Sequence, residues 1–411
     1  MGNNHGMCSS TVRRFTSDDR PRIKYIDSRA FGVAPDPDDM VEPWLDSYGG
    51  SWGYVAEIDG EVVGGTAAFD MEVSIPGSDP LPAGGVTGVG VLPTHRRRGL
   101  LNSLMQRQLS DMRSGGLVMA TLTASEAPIY GRFGFGRIAV SAKREIDTTR
   151  AQLREDFTPS GSVRFIDVEE ARRVMPGLRR RSGRDIPAMV TVPDSIWERI
   201  FADYEADRDG ASDRFYAVHE TAGEIDACVM YRVVSTWTER GPSYTVKVSM
   251  AFGLNRRAEM ELWAFVTSLD LVRKVEGFRP SDDFLEWMFS DMRAVETVSV
   301  QDHNWGRILD PVAAFEARTY PVDGQLVIGF RDRTFEDQSG AYRLTIADGR
   351  GRCERCDDQP SIVADAADWA SVYFGAVDAR VLAAAGRVEG DADRAALHFA
   401  TDRAPFSDVN Y

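Results

Sequence analysis

Residues 86–104, VTGVGVLPTHRRRGLLNSL, constrain the fold more than any other stretch of this chain. An apolar, glycine-containing strand candidate runs into a turn at Pro93, Thr94 and His95. Three arginines and Gly99 follow, and a helical pattern then opens. A strand feeding a basic glycine turn at a helix start is a phosphate-binding device. The first N–H groups of a helix lack intrahelical partners, and the macrodipole adds positive potential there. Gly99 carries no Cβ where a phosphate would approach the backbone, and Arg96, Arg97 and Arg98 supply charge and forked donors. The same arginines also suit a solvated helix cap. A dinucleotide-binding reading of Gly88-x-Gly90 fails, because the third glycine is missing and Pro93 interrupts the spacing.

The neighbouring pattern gives this turn a context. Apolar residues at 100, 101, 104, 105, 109 and 112 keep the helical period, and Gly115-Gly116 ends it. Residues 117–123 read as a buried strand, so strand, helix and strand form one crossover unit. Upstream, residues 51–73 read as a hairpin turning at Asp59-Gly60.

Downstream, residues 125–136 read SEAPIYGRFGFG. Arg96-x-x-Gly99 resembles the core of the GNAT acetyltransferase signature Q/R-x-x-G-x-G/A, with Leu101 where glycine or alanine is usual. PTHRRRGLL followed by SEAPIYGRFGFG is similar to the Eis (enhanced intracellular survival) branch of that superfamily. Residues 304–318, NWGRILDPVAAFEAR, and 347–353, ADGRGRC, resemble that family's C-terminal sterol-carrier-like domain. The resemblance implies an α+β chain of two GNAT-like domains, the second degenerate, then a sterol-carrier-protein-like α/β domain. The boundaries expected are 1–157, 158–297 and 298–411. It further implies a homohexameric N-acetyltransferase that uses acetyl-CoA and acts on primary amines of aminoglycoside-like polycations, often at several positions.

Amine acetylation requires a held and polarised thioester, a proton taken from the amine and a proton given to the departing thiolate. By resemblance, Val89, Gly90 and Val91 lie on a splayed strand whose backbone pairs with the pantetheine amides and polarises the thioester carbonyl. Arg97, Arg98, Gly99, Leu100, Leu101 and Asn102 match the family's pyrophosphate loop, and Ser125 and Glu126 match a second cofactor contact. Tyr130 matches the general acid. A phenol of pKa about 10 is protonated at neutral pH and can donate; taken alone, the residue also reads as a half-buried structural tyrosine. The implied general base is the α-carboxylate of the chain terminus, Tyr411. At a pKa of about 3.3–3.7 it is a weak base unless partly desolvated or acting through water. The tail PFSDVNY ends in an aromatic residue, as the family's does, with Asn410 where an acidic residue can occur. His95 is a second candidate base but lies in the phosphate turn. No cysteine is placed as a nucleophile, so transfer is expected to be direct. Protein-lysine or polyamine acetylation, and a lipid- or partner-binding scaffold, are the competing readings.

Composition narrows the partners. With 48 basic and 63 acidic residues the net charge is −15, poor for general nucleic-acid binding. It suits attraction of polycations, or simply solubility. Asp27, Asp36, Asp38, Asp39, Glu42 and Asp46 cluster where the resemblance places the acceptor side, and they also read as a solvated loop. Four cysteines are too few for a disulfide framework, Cys353-x-x-Cys356 alone is weak evidence for zinc, and the five histidines show no ligand spacing; no metal is expected. No stretch approaches the ~18–20 apolar residues of a membrane span. The N-terminus lacks the apolar core of a secretory signal, so a cytoplasmic protein is expected. Residues 1–20 are expected to be loose. Trp44, Trp52 and Trp287 read equally as pocket walls or core. The charged segment 142–157 marks the edge of the first domain. The second is expected to hold a helix near 169–174, an arginine-rich turn at 179–184, strands around 215–218, 227–234 and 243–251, and an amphipathic helix over 257–275.

Overall fold

The computed structural model describes residues 10–33, 45–46 and 49–411. The first unit holds β1 (Ser10–Arg14), α1 (Arg20–Phe31), β2 (Tyr54–Ile58), β3 (Glu61–Val73), β4 (Leu81–Val91), α2 (Leu100–Ser114), β5 (Met119–Thr123), the single-turn α3 (Ala127–Tyr130), β6 (Gly136–Arg137) and β7 (Val140–Asp147). Asp59 and Gly60 both take positive φ, 52° and 81°, the turn whose twist matches an antiparallel hairpin, and they join β2 to β3. β4 and β5 run parallel and α2 is their crossover, burying Leu104, Met105, Leu109 and Met112 on one face. Residues 10–14, expected to be loose, pair with β2 instead, and Arg13 joins Asp19 at 2.7 Å.

The second unit holds β8 (Ser162–Ile166), α4 (Val168–Gly183), α5 (Asp194–Ala202), β9 (Phe215–Thr221), β10 (Glu224–Val234), the short β11 (Trp237–Thr238) and β12 (Gly241–Pro242), β13 (Tyr244–Gly253), α6 (Arg256–Thr267), β14 (Val272–Arg279) and β15 (Val295–Asp302). β13 and β14 are parallel with α6 between them, repeating the β4–α2–β5 plan. The arginine-rich stretch expected as a turn is helical: Asp167 caps α4 through Glu170 N–H, and Ala171, Met175 and Leu178 bury its inner face. The helix expected to reach residue 275 stops at Thr267. Leu271 takes φ 69°, and the β-branched Val272 and Val275 are then buried in β14, a register shift against β13 bringing residues three apart into the same core.

The third unit holds β16 (Asn304–Ile308), α7 (Pro311–Ala317), β17 (Gly324–Arg331), β18 (Gly340–Ala347), β19 (Arg350–Cys356), β20 (Ile362–Asp365), α8 (Ala366–Tyr373), α9 (Ala379–Ala384), β21 (Val388–Gly390) and α10 (Ala392–Phe399). Its five-stranded sheet has the order β19-β18-β17-β20-β21. The rings of Tyr320, Tyr373 and Phe399 surround the fully buried Arg318, which donates to the carbonyls of Tyr373 and Phe399. Those carbonyls end α8 and α10, so two helix C-termini supply the negative potential that a carboxylate would otherwise provide. Cys353 and Cys356 sit three apart on β19 and therefore face opposite sides.

The sheets do not follow the boundaries expected at residues 157 and 297. The first sheet has the order β1-β2-β3-β4-β5-β16-β6, and the second β15-β7-β14-β13-β10-β9-β8. Each takes a strand across the expected boundary. The charge of residues 143–147 disguised β7. Ala142 and Ile146 are buried, Ile146 in the second core, while Lys143 and Glu145 face outward and pair across strands with Glu276 and Lys274 at 3.2 and 3.4 Å.

A buried acid–histidine–acid bridge closes the second unit. His219 is fully buried, with Nδ1 2.6 Å from Asp226 and Nε2 2.8 Å from Glu261. Burial opposes the charged ring, but the hydrogen bonds to Asp226 and Glu261 outweigh it and hold its pKa above 6.5. Burial also opposes the Glu261 charge, yet donors from Ser160, His219 and Gly161 bring it down to about 2. A raised histidine contributes stability that is complete below its unfolded pKa and is lost as pH rises through the folded value. The urea midpoint of the parent should therefore fall towards that of His219→Gln as pH climbs above 6.5. A difference between the two that grows with pH would refute this. No helix among the described residues is long and apolar enough to cross a membrane.

Candidate active site

The site begins where β4 leaves β5. Their parallel pairing ends at Val86↔Leu122, whereas β4 stays paired with β3 as far as Gly64↔Val91. A register shift opposite Gly65–Ala67, with Gly88 at φ 58°, turns the end of β4 away from β5. Leu92 N–H donates to the Val63 carbonyl at 2.9 Å. Alternation along the strand then aims the N–H and C=O groups of Val89 and Val91 at the opposite edge, into the gap.

The turn after β4 opens the end of α2. Arg97 and Gly99 take positive φ, 63° and 79°, and no side chain caps the helix. The Ser103 N–H reaches the Gly99 carbonyl at 3.0 Å. The preceding N–H groups, on Leu100, Leu101 and Asn102, project from the helix end. Arg97 and Arg98 are exposed and form no ion pair among the described residues.

A cleft of about 750 Å³ joins these parts. Val89, Gly90 and Val91 form one wall, Arg97, Gly99, Leu100, Leu101 and Asn102 the floor, and Ser125, Glu126 and Tyr130 the far wall. Arg98 is not among the lining residues. Sequence reasoning missed Ala30 and Phe31, which close the cleft from the end of α1, and Arg132 beyond Tyr130. The available signal was Phe31, an apolar residue directly before the Gly32 cap.

Tyr130 is 6% exposed and meets Phe135 edge-on at 6.2 Å. Burial raises its phenol above the usual 10, with the Glu126 charge in the same direction and a Ser125 hydrogen bond opposing. The loop behind it is held by the third unit. Arg307, fully buried on β16, donates to the Phe133 carbonyl, pairs with the equally buried Asp332 at 2.7 Å and lies 4.7 Å from the Phe335 ring centre. Gly134, at φ 81°, backs onto that guanidinium, and Gly136 onto the Ala367 carbonyl; a Cβ at either would overlap them.

Tyr411 does not line this cleft. Its hydroxyl donates to Thr121 Oγ1 on β5 at 2.7 Å, and the tail borders a separate cavity of about 460 Å³ against α5, β10 and β13. Burial raises the Tyr411 phenol. His95 lies in the turn before α2, Nδ1 2.9 Å from the Thr94 hydroxyl. Trp52 packs behind α2 and donates to Asp70 at 2.7 Å, and Trp287 is exposed in the second unit. Trp44, Asp36, Asp38, Asp39 and Glu42 lie outside the described residues, while Asp46 pairs with Arg20 at 2.6 Å. Among the described residues no cluster of three or more His, Cys, Asp or Glu is placed to hold a metal.

Family models match three segments: a GNAT acetyltransferase domain over 11–138, a second over 188–308 and a sterol carrier protein domain over 311–408. An uncharacterised N-acetyltransferase of Streptomyces coelicolor is 36% identical over 92% of this chain and 94% of its own. The N-acetyltransferase Eis of Mycobacterium tuberculosis is 31% identical over 80% of this chain and 79% of its own. The chain belongs to the Eis family of GNAT N-acetyltransferases. Eis1 from Mycobacterium abscessus has the same architecture, with a TM-score of 0.85 at 28% identity over 98% of this chain and 100% of that one. A GCN5-related N-acetyltransferase from Anabaena variabilis shares the fold, with a TM-score of 0.85 at 18% identity over 98% and 100%. In this Eis-family chain the second GNAT unit has lost its open helix end: Asn255 caps α6, accepting from Ala258 N–H at 2.8 Å. The corresponding start of α2 is uncapped.

Proposed function

We propose that this chain transfers the acetyl group of acetyl-CoA to primary amines of aminoglycoside-like polycations, at several positions of one acceptor, within a ternary complex. The observation that carries this reading is the single cleft with an uncapped helix end and Arg97 on its floor, an open backbone edge along one wall and a buried tyrosine opposite. The α2 N–H groups and Arg97 suit a pyrophosphate. The edge at Val89 and Val91 suits the amides of an extended pantetheine arm, as an added strand would. Tyr130 Oη would give its proton to the departing thiolate sulfur as the carbon–sulfur bond breaks. The Tyr411 α-carboxylate, on a tail packed against Gly85 of β4 and Thr121 of β5 rather than in the cleft lining, would accept the proton lost by the attacking amine as the new carbon–nitrogen bond forms. A net charge of −15 favours the approach of a polycation. A homohexamer in the cytoplasm belongs to the same reading, and light scattering tests the assembly.

The deciding experiment measures thiol release from acetyl-CoA with and without kanamycin or neomycin. More than one thiol per aminoglycoside is the expected result. No release, with acetyl-CoA still bound, would retire aminoglycosides and bring protein lysines and polyamines forward.

A further inference from the structure

Chain termini ordinarily fray. Here residues 404–411 are fastened along their length. Ala404 N–H donates to Asp282 at 3.0 Å, and Phe406 N–H to the Pro187 carbonyl at 2.9 Å. Ser407 is fully buried beneath the Ser141 hydroxyl, and the Tyr411 hydroxyl reaches Thr121. Among these contacts one is an ion pair. Asp408 meets Arg179 Nε at 3.1 Å and Nη2 as well, with the two side chains 9% and 4% exposed.

Arg179 joins three parts of the molecule. It stands on α4 of the second unit, and its Nη1 donates to the Val190 carbonyl at 2.8 Å. Val190 belongs to a segment that pairs antiparallel with the end of β3 of the first unit, Ala188 N–H donating to Ser74 O and Thr191 N–H to Glu72 O, both at 2.9 Å. Its third partner is the tail. A buried ion pair adds little net stability, because desolvation offsets the attraction, but it holds one geometry, because displacing either partner strands the other charge.

We propose that Arg179 is the positioning residue for the terminal carboxylate: through Asp408 it fixes the tail that carries the Tyr411 α-carboxylate. This rests on the reading of that carboxylate as the base. Three residues separate Asp408 from the terminus, a reach of at most about 10 Å. Released from Arg179, the tail would keep the Tyr411 hydroxyl on Thr121 but lose its ion-pair anchor, and a misplacement of about 1 Å can cost about 100-fold in rate.

The test uses the full chain, Arg179→Ala, Arg179→Lys and a chain lacking Tyr411. Steady-state kinetics are read alongside acetyl-CoA binding, with and without added formate. Arg179→Ala should lose about 100-fold in kcat. Its acetyl-CoA affinity should stay within about two-fold of the parent, because Arg179 does not line that cleft. Formate should restore part of the rate in Arg179→Ala and in the shortened chain, as a carboxylate supplied from solution. A merely structural lesion would not respond to formate. Arg179→Lys should fall between parent and alanine variant. The proposal is overturned if Arg179→Ala keeps the parental kcat while loss of Tyr411 abolishes turnover; the base reading then stands alone. If loss of Tyr411 leaves kcat unchanged, the base reading itself fails and takes the proposal with it. Should Arg179→Ala not fold, Asp408→Asn, which keeps the volume and removes the charge, decides by the same kinetics.

Discussion

Tyr130→Phe should lower kcat by roughly 100- to 10,000-fold, the range over which a positioned general acid contributes, while acetyl-CoA affinity stays within about two-fold. The substitution removes one oxygen and keeps the ring that packs edge-on against Phe135, so the fold is not at issue. The raised phenol remains protonated throughout the neutral range, so no limb of the rate profile near pH 7 should arise from it. Titration of acetyl-CoA into the variant, beside its turnover number, separates the two effects. A parental kcat would reduce Tyr130 to a core residue.

Arg307→Met should be the most destabilising single change in the loop behind the site. It leaves the Asp332 carboxyl group buried with its partner gone, at a cost of roughly 3–5 kcal/mol. The Phe133 carbonyl and the turn at Gly134 lose their anchor together, so turnover should fall with stability. Adding Asp332→Asn should restore most of the loss. It removes the stranded carboxyl group but keeps an acceptor for the N–H groups of Thr334 and Phe335. Urea midpoints of the three variants check this; a double variant no more stable than Arg307→Met would show that the carboxyl group is not the cause.

Those two residues mark what the sequence could and could not convey. Tyr130 stands among contiguous signals, and so do the Asp59-Gly60 hairpin and the Gly99 helix start, because each depends on backbone conformations set within a few residues. Arg307 carries no local sign of burial. Its neighbours in space are Phe133, Asp332 and Phe335, brought from two other segments. The arginine-rich stretch at 179–184 reads as a turn for the same reason: the carboxylate that lets Arg179 go inside is Asp408, near the other end of the chain. The glycines of YGRFGFG drew attention to Tyr130, yet Gly134 and Gly136 are small because the third unit presses on them. Strand partners across the exchanged sheets are long-range choices, and no periodicity within β7 or β16 announces them.

The exchange of β7 and β16 also sets a timetable for biosynthesis. Among the described residues β6 joins the first sheet only through β16, so β5 and β6 wait with an open edge between them until residue 308 has left the ribosome. At ordinary elongation rates of about 5–20 residues per second, that wait lasts on the order of ten seconds or more. An unpaired strand edge left open that long is a site for misassociation. The nascent chain therefore cannot mature domain by domain: its acetyl-transfer cleft becomes a finished object only when most of the polypeptide already exists.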